Sequence, residues 1–149
     1  YLDQVLKRVD GLIVNDEEAK LLTNGRSILD LGRQLQEIGP RTVIVKRGEH
    51  GALLFHGDDI FFTPGYPVEK VIDPTGAGDT FAGGFMGYVA RRGDLSIDTM
   101  KGAMLCGSVM ASFCVEGFAL ERISKITTDD IKNRCTQFEA LTRCPALTL

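Results

Sequence analysis

The run Thr42-Val43-Ile44-Val45 does most to limit what this chain can fold into. It is continuous, β-branched and free of polar alternation. That pattern suits a strand buried on both faces, as in a parallel sheet. A sheet covered on two sides needs helices on two sides, and helical patterns do flank the run. A second apolar run, Gly11 to Val14, ends at Asn15 and also reads as a buried strand. Asn15-Asp16-Glu17-Glu18 then opens a short helix to about Thr23, stopped by Asn24-Gly25. Ser27 can cap a second helix with the apolar face Ile28, Leu31, Leu35 and Ile38, ended by Gly39-Pro40.

Beyond the central run lies a glycine-bearing turn, Arg47 to Gly51. Ala52–Phe55 and Ile60–Thr63 flank Gly57-Asp58-Asp59 and read as a hairpin. Pro64, Gly65 and Pro67 break the pattern, and Lys70 to Asp73 reads as a short extended segment. Phe81, Phe85, Tyr88 and Val89 recur at helical spacing after Thr80. Each glycine in a helix costs ~1 kcal/mol against alanine, so Gly83, Gly84 and Gly87 predict close packing against another backbone. Ser96 can cap a further helix, apolar nearly all round from Ala103 to Val115 and therefore buried. A loop around Glu116 to Arg122 precedes a last helix that starts after Thr127 or Thr128. The alternation of strands and helices predicts a layered α/β fold.

Composition removes several function classes. The 149 residues suit one domain, with 44% hydrophobic and 25% charged residues. A net charge of −3 gives no electrostatic reason to expect a nucleic-acid partner. The longest uncharged apolar stretch, Gly102 to Val115, falls short of the ~20 residues that cross a bilayer. No membrane partner is therefore expected. The chain opens Tyr-Leu-Asp-Gln with no signal-peptide pattern and no initiator Met, which fits a fragment or a processed piece. Cys106, Cys114, Cys135 and Cys144 show no CxxC spacing and no nearby histidine, which weakens zinc and redox-motif readings. They read as free thiols in a reducing, cytoplasmic setting. His50 and His56 are lone histidines, expected at the surface.

Four constellations could carry chemistry. Gly76-Ala77-Gly78-Asp79 stands at a loop-to-helix junction, where small residues let backbone N–H groups approach an anion favoured by the helix dipole. Asp79 could cap that helix, or take a proton from a nucleophile facing the anion. Rival glycine motifs fail: no Lys follows as a P-loop requires, and Phe81 stands where a dinucleotide fingerprint needs its third glycine. Asn15 and Glu18 have the spacing of a capping box, and also lie where open α/β sheets bind ligands. An amide and a carboxylate there could organise Mg²⁺ and its waters. Lys46 could reach a phosphate, and Gly48 would let a nucleotide pass near the backbone. The alternative is a solvated turn. Asp73 and Thr75 form either ordinary turn chemistry or part of a cation site.

Taken together, these residues resemble the PfkB, or ribokinase-like, carbohydrate kinase family. Asp73-Pro74-Thr75-Gly76-Ala77-Gly78-Asp79-Thr80-Phe81 is similar to its DTxGAGD-type signature. Asn15 to Glu18 is similar to its NxxE motif, and Lys46 to Gly51 to its nucleotide-side turn. The motifs occur in the family's order. The resemblance implies a ribokinase-like layered α/β/α fold, of which residues 1–149 form the C-terminal nucleotide-binding and catalytic part. It implies phosphoryl transfer from ATP to a hydroxyl of a sugar or related molecule, with Asp79 as general base. Gly76, Ala77 and Gly78 would form an anion hole. Asn15 and Glu18 would hold a Mg²⁺–water–phosphate network. Lys46, Gly48, Gly51, Gly107 and Ser108 would border the nucleotide. Asp73 and Thr75 would contribute to a K⁺-type cation site closed by the loop near Val115 to Ala119. Two departures stand out: Pro74, which removes an N–H donor, and Leu105-Cys106-Gly107-Ser108, where many relatives place an Asn by the adenine. The resemblance also implies that the family's N-terminal half, with its sugar-binding residues and lid, lies outside this sequence. A nucleoside kinase is a second reading. A nucleotide-binding module without catalysis is a third. A sheet cut at its middle leaves an unpaired edge, from which dimerisation or aggregation is expected.

Overall fold

The computed structural model describes residues 2–145. A short helix α1 (Leu2–Leu6) leads into strand β1 (Gly11–Asn15), helices α2 (Asp16–Leu22) and α3 (Ile28–Ile38), and strand β2 (Thr42–Lys46). The hairpin β3 (Ala52–His56) and β4 (Asp59–Thr63) follows. Then come α4 (Ala77–Arg92), α5 (Ile97–Val115) and α6 (Thr128–Thr142). One mixed sheet runs in the order β1-β2-β3-β4. β1 and β2 are parallel, with Gly11 opposite Thr42 and Asn15 opposite Lys46. β3 and β4 each run antiparallel to the preceding strand. Only the first pair is thus parallel. β3 reverses because five residues, 47–51, separate it from β2, too few for the crossover that a parallel neighbour needs.

The sheet is covered on both faces, as the β-branched run predicts. Val43 and Val45 face Leu31 and Leu35 of α3 and Ala19 of α2. Ile44 points the other way, toward Phe81, Phe85 and Val89 of α4 and Met104 of α5. The period-2 alternation of a strand sends neighbours to opposite layers, so β2 and β3 carry two cores at once. A third cluster joins α5 to α6 through Val109, Phe113 and Phe138. The architecture is therefore α/β/α. Among the described residues no helix is long and apolar enough to cross a membrane.

Three details differ from expectation. Of the three α4 glycines only Gly84 is packed: an added Cβ would lie 2.8 Å from Met110 Cγ and 3.1 Å from the Cys106 carbonyl oxygen. Among the described residues nothing lies within 4 Å of a Cβ at Gly83 or Gly87. His56 is buried at 6% exposure, because it ends the covered strand β3, and its Nδ1 lies 2.9 Å from Thr42 Oγ1. His50 is exposed, as expected. Among the described residues, 70–73 pair with no strand; they are tied to α5 by the Ile72 N–H, which donates to the Val115 carbonyl at 2.7 Å. The four thiols are free, and burial pushes the Cys106 and Cys135 pKa values up.

The turn into α5 predicts an acid limb in stability. The hydroxyls of Ser96 and Thr99 and the Ser96 N–H donate to Asp94, which lowers its carboxyl from 3.8 to about 2. A depressed folded-state pKa stabilises above the unfolded value and is lost as pH falls through the folded one. Chemical denaturation between pH 4 and 2 should show a loss that Asp94→Asn flattens. An unchanged slope in the variant would assign the acid limb to other carboxylates.

Candidate functional site

Asn15 and Lys46 end two parallel strands side by side. Open α/β sheets bind ligands at this carboxyl end. Asn15 does cap α2: its Oδ1 accepts the Glu18 N–H at 2.7 Å, and Glu18 Oε2 accepts the Asn15 N–H at 2.8 Å. The capping box thus forms, yet it uses one oxygen of each side chain. The second Glu18 oxygen and the Asn15 amide N–H₂ make no hydrogen bond among the described residues. The cap and the ligand-facing readings are therefore compatible.

Helix α4 begins beside those strand ends. Its N-cap is Gly76, left-handed at φ 80° and without a side-chain cap. Asp79 is therefore the third helical residue and not the cap that its sequence position allowed. Its side chain is exposed and makes no hydrogen bond among the described residues. The Ala77 N–H is spent on the Pro74 carbonyl at 3.2 Å, and the Thr80 N–H on Gly76 at 2.9 Å. Among the described residues, the N–H groups of Gly76, Gly78 and Asp79 meet no acceptor. Lys46 Nζ comes so close to this turn that a Cβ on Gly78 would lie 2.6 Å from it. Among the described residues Lys46 has no carboxylate partner. An ammonium and the positive end of a 16-residue helix repel each other in this arrangement. An anion between them removes the repulsion and satisfies the free N–H groups.

A cavity of about 500 Å³ opens beside this point. Asn15, Lys46, Ala77 and Gly78 line its polar end. Gly48, Gly51 and Gly65 give it a backbone floor. Gly48 has φ 55° and open space beside it, whereas Gly65 passes directly under the Glu49 carbonyl. Val68, Val71, Phe81, Ala111 and Val115 form an apolar wall, completed by Tyr66, Ser108 and Ser112. Gly107 does not reach the cavity. It packs on α4, where a Cβ would lie 2.9 Å from the Phe81 carbonyl oxygen. Helical spacing turns Ser108, one position on, toward the cavity instead. Glu18 and Asp79 also stand outside the lining, next to it along the chain.

Asp73 and Thr75 meet the loop after α5. Asp73 Oδ1 accepts the Thr75 N–H at 2.9 Å, and with the Thr75 hydroxyl and the Ala119 N–H this holds the carboxyl below its ordinary range. Ala119 has φ 51°, the one non-glycine with positive φ among the described residues. The Val115 carbonyl takes the Ile72 N–H, and the Thr75 carbonyl takes the Cys114 thiol at 3.5 Å. The residues expected at the cation site are joined by hydrogen bonds that tie two loops. Among the described residues no group of three His, Cys, Asp or Glu side chains is placed to hold a metal ion.

Tyr66, Val68 and Ser112 are wall residues that the sequence reading missed. The first two lie in the irregular stretch between β4 and α4, which has no periodicity to read. Ser112 carries the helical i+4 signal from Ser108, a polar pair on the otherwise apolar stretch Ala103–Val115.

The fold and the order of these motifs have counterparts in known proteins. Residues 1–119 match the family described as pfkB family carbohydrate kinase. The chain is 37% identical to the cytidine kinase of Thermococcus kodakarensis over 92 residues, 60% of this chain and 33% of that protein. It is 30% identical to the ribokinase of Staphylococcus aureus over 119 residues, 76% of this chain and 38% of that protein. The aminoimidazole riboside kinase of Salmonella enterica, crystallised with aminoimidazole riboside and an ATP analogue, aligns at TM-score 0.79 and 23% identity. That alignment covers 90% of this chain and 44% of that one, and it establishes a shared ribokinase-like fold. The matched stretch spans between about a fifth and two fifths of the length of the curated relatives. It belongs to the pfkB family of carbohydrate kinases.

Proposed function

We propose that residues 1–149 form the nucleotide-binding and catalytic part of an ATP-dependent kinase acting on a hydroxyl of a sugar or nucleoside. The observation that carries this reading is the unpaired Lys46 ammonium set against free N–H groups at the start of α4, at the polar end of an apolar cavity. A nucleoside triphosphate has the same division, with a polyanion at one end and a ring at the other. The backbone floor at Gly48 and Gly65 lets such a ligand lie against the chain. Lys46 and the Gly78 N–H hold the transferring phosphoryl group as charge spreads over its oxygens.

Asp79 stands one residue on, exposed and uncommitted, and receives the proton from the acceptor hydroxyl. The hydroxyl oxygen bonds to the γ-phosphorus as the bond to the ADP oxygen breaks. Mg²⁺ would be held by the free Glu18 oxygen and Asn15, oxygen donors suited to a hard cation, and would supply charge neutralisation at the phosphates. The Asp73 carboxylate and the carbonyls of the Val115–Ala119 loop are oxygen donors of the kind a monovalent cation takes. Their present hydrogen bonds would then have to be shared.

Lys46→Met is the direct test. Calorimetric titration with a non-hydrolysable ATP analogue and Mg²⁺ should show the triphosphate weakened roughly 10- to 100-fold, with adenosine unaffected. Equal loss for both ligands would remove the phosphate role from Lys46. Turnover in the full-length protein with ribose, cytidine and adenosine then distinguishes the acceptor classes.

A further inference from the structure

Helix α6 lies beyond the stretch that matches the family, yet its side chains hold the cavity wall. Tyr66 sits in a loop with no strand or helix to place it. Its ring packs edge-on against Phe138, with centroids 5.5 Å apart, and its hydroxyl donates to Gln137 Oε1 at 3.0 Å. The Arg134 guanidinium lies 5.1 Å over the same ring and 3.6 Å over Phe113. It grips both oxygens of Glu116 at 3.0 Å and donates from Nη1 to Ser112 Oγ at 3.0 Å. The side chain is only 14% exposed. A guanidinium that stacks on two rings and donates to three oxygens is a rigid strut that an ammonium does not replace.

The strut has a chemical consequence. A carbonyl only accepts, so the Ser112 hydroxyl must donate its one hydrogen to the Val109 carbonyl, 2.6 Å away. Arginine only donates, so it occupies one Ser112 lone pair. What remains on Ser112 is a lone pair. Ser108 is alike: its hydroxyl donates to the Pro64 carbonyl at 3.2 Å. The two serine hydroxyls in the wall therefore present acceptors and no donor.

We infer that Arg134 is a positioning residue which, through Ser112 and Tyr66, sets an acceptor-only ring wall, and that this wall selects a base with an amino edge over one with a keto edge. The inference rests on the nucleotide reading of the cavity. Adenine and cytosine offer an exocyclic N–H; hypoxanthine, guanine and uracil turn an oxygen to the same place. A keto oxygen there faces lone pairs and loses its hydration without a partner.

ATP and ITP differ at this edge and share their phosphates. Titrated with Mg²⁺ into the full-length protein without acceptor, ATP should bind roughly tenfold tighter than ITP. Ser112→Ala and Arg134→Lys should each bring the ratio to within about threefold. Lys46→Met should weaken both ligands and leave the ratio unchanged. A general loss of structure would not produce that contrast. Ser112→Ala removes one oxygen and serves if Arg134→Lys fails to fold, which a thermal melt reads. Equal affinity for ATP and ITP in the unaltered protein overturns the inference, and so does a ratio untouched by Ser112→Ala. Absence of binding for both nucleotides overturns the nucleotide reading itself, a distinct result.

Discussion

Asp79→Asn is expected to lower phosphoryl transfer in the full-length protein by ~10²- to 10⁴-fold, the usual contribution of a positioned general base. The swap keeps shape and leaves Gly76 as the cap of α4, so the helix start is undisturbed. It removes one negative charge beside an anion site, so ATP affinity should hold or rise slightly. Steady-state rates with calorimetric ATP binding separate the two effects. Retained turnover would remove Asp79 as base, and joint loss of binding and turnover would make it a structural residue. The exposed carboxylate, free of hydrogen bonds, is what makes the prediction sharp. Its one structural contribution is its charge in the first turn of α4, worth at most ~1 kcal/mol.

Gly51→Ala should destabilise the fold by about 3–5 kcal/mol, from backbone strain and overpacking together. Gly51 has φ 89° and ψ −148°, a region that is essentially glycine-only. An added Cβ would overlap the Thr63 carbonyl and lie 2.7 Å from the Pro64 backbone. Those are backbone atoms of the last β4 residue and the proline after it, and they cannot rotate away as a side chain can. Gly48→Ala three residues earlier meets open space at φ 55°, and costs only the left-handed penalty of ~1–2 kcal/mol. Urea denaturation of the two variants should separate clearly. Similar midpoints would show that the turn yields as a unit. The same turn floors the cavity, so Gly51→Ala should also reduce nucleotide binding in whatever protein remains folded.

Much of the fold is legible because it rests on local rules. Asn15, Ser27, Ser96 and Thr127 cap their helices where the residue types place them. The alternation within β2 and β3 fixes two cores from the strand period alone. Gly83 and Gly87 fail as packing signals because helix propensity records a cost without saying which neighbour receives the bare face. His56 fails because exposure depends on what covers β3, a fact set by helices distant in sequence.

The candidate site divides in the same way. Residue types and short spacings suffice for the glycine turn before α4, the capping box at Asn15 and the position of Lys46 at a strand end. Each is a backbone-level device within a few residues. The tertiary structure alone decided that Lys46 stands over Gly78, that Gly107 turns away while Ser108 turns in, and that Tyr66 leans on α6. These are contacts between segments tens of residues apart, set by how the layers close. No local pattern contains that closure, and the sequence therefore names the groups of the site without showing which of them meet.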